Sequence, residues 1–395
     1  MKIFIISFFL FIFHLSLVAE NKYFRIGFID LENDIRYVDW GRHPVDIRSN
    51  HSKENRGVDG AKLGIIDSKK LERITKTKIT LDHLRVKNEN DLYDLLNSDR
   101  IKNYKSILLD LNLEEFTKLN SILRKSKSII FFNISDPNNL LRSQICLENL
   151  YHTYPSNMMK TDSIAQFLVE KKWNKTLLLT GGLKYDKEFS ESFKVSSEKF
   201  GVKIAGEKYF VNSNDPRARE KNDLSFLTKG KNYKSIFISD LDGEFALGVP
   251  NSSVSPASVS GSAGLRPLAW HWSYMRHGAP QVNGRFEREF GRRMTERDWS
   301  AWIAIKSLTE SILRTKEIET SILKKFLKDS TFKVDGSKGI SLNYRDTTKQ
   351  LRQPIFLVSS DNWVTSVTPI ESFQNRENNL DTIGIIKKEI NCESK

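Results

Sequence analysis

Ser106-Ile107-Leu108-Leu109-Asp110, the run Leu113 to Lys125, and Ser128-Ile129-Ile130-Phe131-Phe132-Asn133-Ile134 decide how this chain is read. The outer pieces are apolar and of strand length, the middle piece has helical spacing, and Ser135-Asp136-Pro137 closes the unit. Apolar strands with no polar face, alternating with helices, belong in a parallel sheet covered on both sides.

The alternation extends both ways. Upstream, Tyr23-Phe24-Arg25-Ile26-Gly27-Phe28-Ile29 reads as a first strand ending at Asp30, residues 57–75 as a helix, 79–84 as a strand and 89–98 as a helix. Between the first strand and its helix, residues 31–56 are polar and irregular and carry Tyr37, Trp40 and His43. That is too long for an ordinary connection, which makes it a candidate functional loop. Downstream, a second set has strands at 175–180, 203–210 and 235–239, with helices at 186–200 and 216–229. Two such series predict an α/β fold of two Rossmann-like lobes joined by multiple crossovers.

The Ser-, Ala- and Gly-rich residues 251–264 read as a flexible loop or lid. They lead into Arg266-Pro267-Leu268-Ala269-Trp270-His271-Trp272-Ser273-Tyr274, where Leu268, Trp270 and Trp272 alternate with smaller or polar residues as in a strand. So aromatic a strand end suits a ligand wall, an inter-domain seam, or a buried strand whose polar tips find partners. Helices follow at 282–290, 296–315 and 319–328, then strands at 339–344 and 353–358 and a polar tail. The expected divisions are a signal peptide at 1–19, the first part of lobe 1 at 20–150 and the first part of lobe 2 at 151–268. Return helices of lobe 1 at 269–330, closing strands of lobe 2 at 331–370 and a C-terminal tail at 371–395 complete them.

Bulk properties agree. A chain of 395 residues exceeds what one core comfortably serves. Its formal charge of +13 comes mainly from scattered lysines such as Lys69-Lys70 and Lys171-Lys172, without a nucleic-acid motif, so it reads as a solvated basic surface. Met1-Lys2, the apolar run from Ile3 to Val18 and Ala19 form an export signal, which places the mature protein in the periplasm; an uncleaved anchor is the rival reading. In such an oxidising compartment the two cysteines, Cys146 and Cys392, are expected to bridge, the alternative being two independent thiols.

Signal, twin lobes and repeated crossing resemble a type 1 periplasmic binding protein. Phe286, Phe290 and Gly291 with Trp299-Ser300-Ala301-Trp302-Ile303-Ala304, and Gly339-Ile340-Ser341-Leu342 followed by Arg352-Gln353-Pro354 and Asp361-Asn362-Trp363, are similar to that family's late helices and closing strands. Asn149-Leu150-Tyr151-His152-Thr153-Tyr154-Pro155-Ser156, Asp242-Gly243-Glu244-Phe245, Ala269-Trp270-His271-Trp272, Gly278-Ala279-Pro280-Gln281 and Leu380-Asp381-Thr382-Ile383-Gly384 carry a closer likeness. With Ile26-Gly27-Phe28 and the Arg36-Tyr37 loop, they resemble the substrate-binding protein of an ABC transporter associated with PQQ-dependent alcohol dehydrogenase systems. The resemblance implies a monomer that captures a small-molecule solute by hinge closure and presents it to ABC transporter membrane subunits.

Ligands of open α/β sheets dock beyond the carboxyl ends of the strands. That rule selects Asp30, Tyr37, Asp110, Ser135 and Asp136 from the first lobe and Thr180, Gly181, Asp240 and Asp242 from the second. His152, Tyr154 and Ser156 sit at the first crossover, and Trp270, His271 and Tyr274 at the next. Trp270 and Tyr274 are expected on the ligand wall and Trp272 in the core. Ser156 opens a helix, where it either holds an anion or simply caps the turn. Asp240, Asp242 and Glu244 could give oxygen ligands to a cation, although the spacing lacks the pattern of a calcium loop. No Gly-x-Ser-x-Gly elbow, His-Glu-x-x-His or phosphate loop is present, so neither an enzyme nor a cofactor is expected. The rival binding classes are a metal-delivery protein and a ligand-sensing receptor module of the same fold.

Overall fold

A computed structural model of the protein describes residues 22–37, 56–211, 216–230, 232–241, 243, 245–373, 375 and 377–392. The expected signal segment, together with Trp40, His43, Asp242 and Glu244, lies outside the described residues.

Five parallel strands form the first sheet: β1 (Lys22–Leu31), β2 (Thr77–Val86), β3 (Ser106–Asp110), β4 (Ile130–Asn133) and β5 (Leu150–His152). Their spatial order is β2-β1-β3-β4-β5, a doubly wound arrangement with its switch point at β1 and β3. Helices α1 (Val58–Thr75), α2 (Glu89–Asn97) and α3 (Leu113–Lys125) make the crossovers. The start of α3 is fixed locally. The Asn112 side chain accepts from the N–H of Glu114, and the Glu115 carboxylate returns to Asn112 N at 2.7 Å, a reciprocal capping box.

Helix α4 (Asn157–Glu170) carries the chain into a second parallel sheet of β6 (Lys175–Thr180), β7 (Lys203–Tyr209), β8 (Ser235–Ser239) and β9 (Ser258–Gly261), in the order β7-β6-β8-β9. Helix α5 (Lys184–Phe200) links β6 to β7. After β10 (Arg266–Leu268), helices α6 (Ala279–Phe290), α7 (Glu296–Thr315) and α8 (Thr320–Leu327) return to the first lobe. There α7 packs along α1, with Trp299 and Trp302 buried in the same core as Phe24, Ile26 and Phe28 of β1. Two short antiparallel sheets finish the fold. One is β11 (Val334–Asp335), β12 (Ser341–Tyr344) and β13 (Leu351–Arg352); the other has β14 (Ile355–Val358) between β10 and β15 (Val364–Thr368).

Three expectations change. Part of the supposed lid, residues 251–264, is sheet: β9 pairs in parallel with β8, Val259 opposite Ile236 and Gly261 opposite Ile238. Small residues serve close backbone approach there, since a Cβ on Gly261 (φ +109°) would lie 2.2 Å from the Ile238 carbonyl oxygen. The helix expected over 216–229 is a 3-10 segment (Pro216–Asn222) and one helical turn (Leu224–Leu227), restarted by the Asp223 cap. Past Leu268 the aromatic stretch leaves the strand and turns, with Tyr274 N donating to His271 O at 3.1 Å.

Candidate functional site

The first lobe presents a dense charged face where its strands end. After β1 the chain turns through Asp34, Arg36 and Tyr37 back over the ends of β3 and β4. The Arg36 guanidinium donates to Asp34 at 2.5 Å, to Asp110 at 3.2 Å and to Ser135 Oγ at 2.8 Å. The buried Tyr37 hydroxyl lies 2.8 and 2.7 Å from the two Asp110 oxygens. Arg56 and Arg297 lie 4.4 and 4.9 Å from its ring centroid, cation–π contacts that help hold the phenol in place. Burial pushes the Asp34 carboxyl up, but Arg36 outweighs it and holds the group below the usual carboxylate range. Arg36 is thus already saturated by carboxylates.

Asp136 and Glu115 behave differently. Asp136 accepts from Asn138 N at 2.7 Å, yet burial still raises its pKa. Burial pushes Glu115 up to about 7. The second lobe meets this region through the first turns of α5. Tyr185, half-buried, has its phenol pKa raised by burial and then by the charge of Asp136, with Glu115 and Glu188 adding to it. Glu188, also raised by burial, accepts from Asn138 Nδ2 at 2.9 Å, a direct hydrogen bond between the lobes. Asn139 adds a second one, to Ser192 Oγ at 2.9 Å.

The hinge beside this region is knit by polar side chains. Arg142 donates to Gln350 Oε1 at 2.9 Å and to Tyr154 O at 2.9 Å, while Gln350 Nε2 donates to His152 O at 3.0 Å. Gln353 Nε2 donates to Thr153 O at 2.7 Å. These bonds tie the first crossover, residues 152–156, to the third, residues 350–355. Glu296, at the start of α7, accepts from Lys160 on α4, from the Tyr154 hydroxyl, and from Ala269 N of the second crossover at 3.0 Å. Lys338 donates to Gln353 Oε1 at 2.8 Å and lies 3.7 Å from the Trp299 ring centroid. Burial drives its ammonium pKa well down.

Two parallel doubly wound sheets, carboxyl ends meeting across a seam, and three crossovers between them define the architecture on which comparison with solved structures bears. A periplasmic binding protein from Burkholderia mallei superposes with a TM-score of 0.65 at 12% identity, over 91% of this chain and 98% of that one. A branched chain amino acid ABC transporter periplasmic ligand-binding protein from Burkholderia xenovorans LB400 gives 0.67 at 13%, over 85% and 90%. A solute binding protein of an ABC transporter from Rhodopseudomonas palustris BisB5, in complex with 3,4-dihydroxy benzoic acid, gives 0.62 at 13%, over 85% and 93%. The fold is the type 1 periplasmic binding fold. No family profile and no curated protein matches the chain.

Within that fold the sequence-selected residues fall into four groups. Tyr37, Asp110, Ser135 and Asp136 come together on the first lobe's cleft face, joined by Asp34 and Arg36. His152, Tyr154 and Ser156 are hinge residues. Burial holds the His152 ring neutral, and its Nδ1 meets the Asn133 amide at 3.1 Å. Ser156 Oγ accepts from Met159 N at 3.1 Å, which makes it the cap of α4. Trp270, His271 and Tyr274 form the third group, and here the expected ligand wall is corrected. Trp270 is in the core: its ring stacks on Trp299 and its Nε1 donates to Asn283 at 3.0 Å. Tyr274 packs on Phe356 with centroids 4.3 Å apart, and His271 Nδ1 meets Ser273 Oγ at 2.7 Å. Trp272, expected in the core, is the half-exposed one, with Arg293 stacked 3.4 Å from its centroid.

At the second lobe's strand ends, Thr180 Oγ1 bonds Ser190 Oγ at 2.7 Å and Gly181 N donates to Ser239 O at 3.0 Å. Asp240 accepts from Ala246 N at 2.8 Å, a turn cap rather than a metal corner. Among the described residues no group of three or more His, Cys, Asp or Glu is placed to hold a metal ion. Sequence reading missed Asp34, Glu115, Tyr185 and Glu188. Glu115 had a visible signal, an Asn-x-x-Glu capping pattern directly after β3. Tyr185 and Glu188 sit in the first turns after β6, where a cleft-facing helix begins.

Proposed function

We propose that the protein is the solute-binding component of an ABC transporter, closing its two lobes on a small molecule in the seam where Arg36, Asp110, Ser135 and Asp136 face Tyr185 and Glu188. The observation that carries this reading is the direct bonding of strand-end loops to the opposite lobe, Asn138 to Glu188 and Asn139 to Ser192, around a three-stranded hinge. Lobes that meet through a few polar bonds at their strand ends can part there and re-form around a ligand. The solved structures of the same fold that are named as transporter binding proteins support the same use.

Arg36 is shared between two carboxylates, and the starts of α3 and α5 are capped by Glu115 and Asp186. Asp136, Glu188 and the Tyr185 phenol remain to meet a ligand, so the reading favours a solute that donates hydrogen bonds or carries positive charge. Signal-like residues 1–19 support a periplasmic site of action, and no described helix is long and apolar enough to cross a membrane.

The link to PQQ-dependent alcohol oxidation rests on the resemblance carried by residues 26–28, 36–37, 149–156, 242–245, 269–272, 278–281 and 380–384. Thermal-shift and calorimetric screening of the mature protein against amines, amino acids, aromatic acids and alcohols tests the binding role. A saturable, stoichiometric partner is expected, and one lost on substituting Asp136 or Glu188 would place it in the seam. Turnover of any of these compounds by the purified protein would instead make it an enzyme. Deleting the gene and measuring growth on alcohols tests the PQQ link, with slowed growth expected on alcohols alone.

A further inference from the structure

The C-terminal segment grips both lobes in sequence. Ile370 N donates to Gln166 Oε1 on α4 at 3.0 Å, and Ser372 Oγ to Glu170 on the same helix at 2.7 Å. Phe373 packs edge-on against Phe200 at the end of α5. Further on, Gly384 N donates to Asp162 on α4 at 2.7 Å, and Lys199 on α5 donates to Gly384 O at 3.2 Å. The fit is tight there: Gly384 has φ +97°, and a Cβ on it would lie 2.7 Å from Arg345 and 2.8 Å from Met159. Asp162 and Lys199 belong to the second lobe.

Eight residues later the same segment is fastened to the first lobe. Asn391 N donates to Ser143 O at 2.7 Å, and Cys392 is disulfide-bonded to Cys146, with Cα atoms 5.6 Å apart. Ser143 and Cys146 lie in or directly after the turn Leu141–Ile145, whose Leu141 and Ile145 belong to the first lobe's second hydrophobic cluster. Between the two anchorages the regular structure is one short 3-10 turn, Lys387–Glu389, closed by Ile386 N donating to Glu389 at 2.8 Å. Ahead of the first anchorage Arg345 and Arg352 hold Asp381 at 2.9 and 2.8 Å, and just past it Arg345 donates to Ile385 O at 3.3 Å, which fixes where the segment passes the hinge.

We propose that residues 384–392 are a covalent strap between the lobes that limits how far the cleft opens, and that reduction of Cys146–Cys392 releases it. Extended chain spans at most about 3.3–3.6 Å per residue, so an eight-residue strap allows a gap of roughly 28 Å between its anchorages at full stretch. Before that limit the turn at 387–389 must unwind. The strap therefore opposes wide opening of the cleft. Release is a two-electron step. A dithiol attacks one sulfur, passes through a mixed disulfide and leaves as its own disulfide, while Cys146 and Cys392 each take up one proton as thiols.

Small-angle scattering on the full mature protein tests this, with oxidised wild type, wild type reduced by dithiothreitol, and the C392S variant compared at one concentration. The expected result is a larger radius of gyration in both the reduced and C392S samples, with far-UV circular dichroism unchanged. Labels on exposed Lys102 and Lys187, one in each lobe, should show a broader and longer distance distribution on release. Unchanged dimensions and distances would overturn the proposal, even if C392S melted lower, because the disulfide would then only stabilise the fold. If C392S fails to fold, the dithiothreitol arm alone decides, by the same two outcomes. None of these readouts needs a ligand, so failure of the solute-binding reading leaves the test intact.

Discussion

The Lys160 ammonium lies 2.9 Å from one Glu296 oxygen and 3.2 Å from the other, joining α4 of the second lobe to the first turn of α7 in the first. The same carboxylate accepts from Tyr154 and Ala269, one residue from each of two crossovers. Burial pushes the Glu296 carboxyl up, but Lys160 and the Tyr154 hydroxyl outweigh it and keep the group below its usual range. One side chain thus connects both lobes and two of the three connecting strands. It is the polar centre of the hinge.

Removing half of a buried pair strands the other half. E296Q is expected to destabilise the protein by about 3–5 kcal/mol, read by urea denaturation, because it leaves Lys160 without a counter-charge. K160M should cost less than E296Q, since Glu296 keeps the Tyr154 and Ala269 donors. A double-mutant cycle that gave additive costs would show that the two residues do not work as a unit.

Trp270 separates packing from binding. W270A is expected to cost about 3–5 kcal/mol, because it removes a large ring stacked on Trp299 from a closed core. W270F keeps most of the ring but leaves the Asn283 oxygen without its indole donor, a loss of about 1–2 kcal/mol. Both variants should bind a seam ligand with wild-type affinity wherever they remain folded. A tenfold loss of affinity in folded W270F would return Trp270 to the ligand wall.

That residue also shows where the sequence stopped being legible. Strand–helix alternation carried both sheets, because burial on two faces leaves unbroken apolar runs such as Ile107-Leu108-Leu109 that short-range pattern exposes. The rule of strand carboxyl ends selected Asp110, Ser135 and Asp136, which lie at or just past the ends of β3 and β4 near Arg36. Trp270 is different, since an aromatic crossover lines a cleft or fills a seam with the same composition, and only its partners Trp299 and Asn283, 29 and 13 residues away, decide. The 251–264 segment misled for a related reason. Gly and Ser read locally as flexibility, whereas here they let β9 approach β8. Glu296 and Lys160 were invisible, because a charged residue at the start of a helix looks the same whether it faces water or a crossover.

Arg36 governs the cleft face. R36A removes the guanidinium shared by Asp34, Asp110 and Ser135, which leaves two buried carboxylates facing one another and a freed Tyr37 loop. The expected outcome is a loss of about 2–4 kcal/mol in stability together with weaker solute binding. R36K should restore charge but not the forked geometry, and so recover stability only in part. Full recovery by lysine, measured by denaturation, would mean that the fork is immaterial.

Glu115 sets a pH dependence with a definite sign. Its pKa is raised from the usual carboxyl value to about 7 by burial, so the folded protein holds a proton that the unfolded chain has released. Stability linked to this group is therefore fully present below about pH 4.5, and it is lost as pH rises through about 7. The loss should total on the order of 3 kcal/mol. E115Q, which cannot ionise and keeps one acceptor for Asn112 N, should flatten that interval in a pH series of urea midpoints while leaving lower pH nearly unchanged. The Tyr185 phenol faces the same charge, so Y185F should leave the slope in place but shift its midpoint. A slope in E115Q equal to that of the wild type would assign the dependence to Asp136 or Glu188, the other carboxyls raised by burial at the seam.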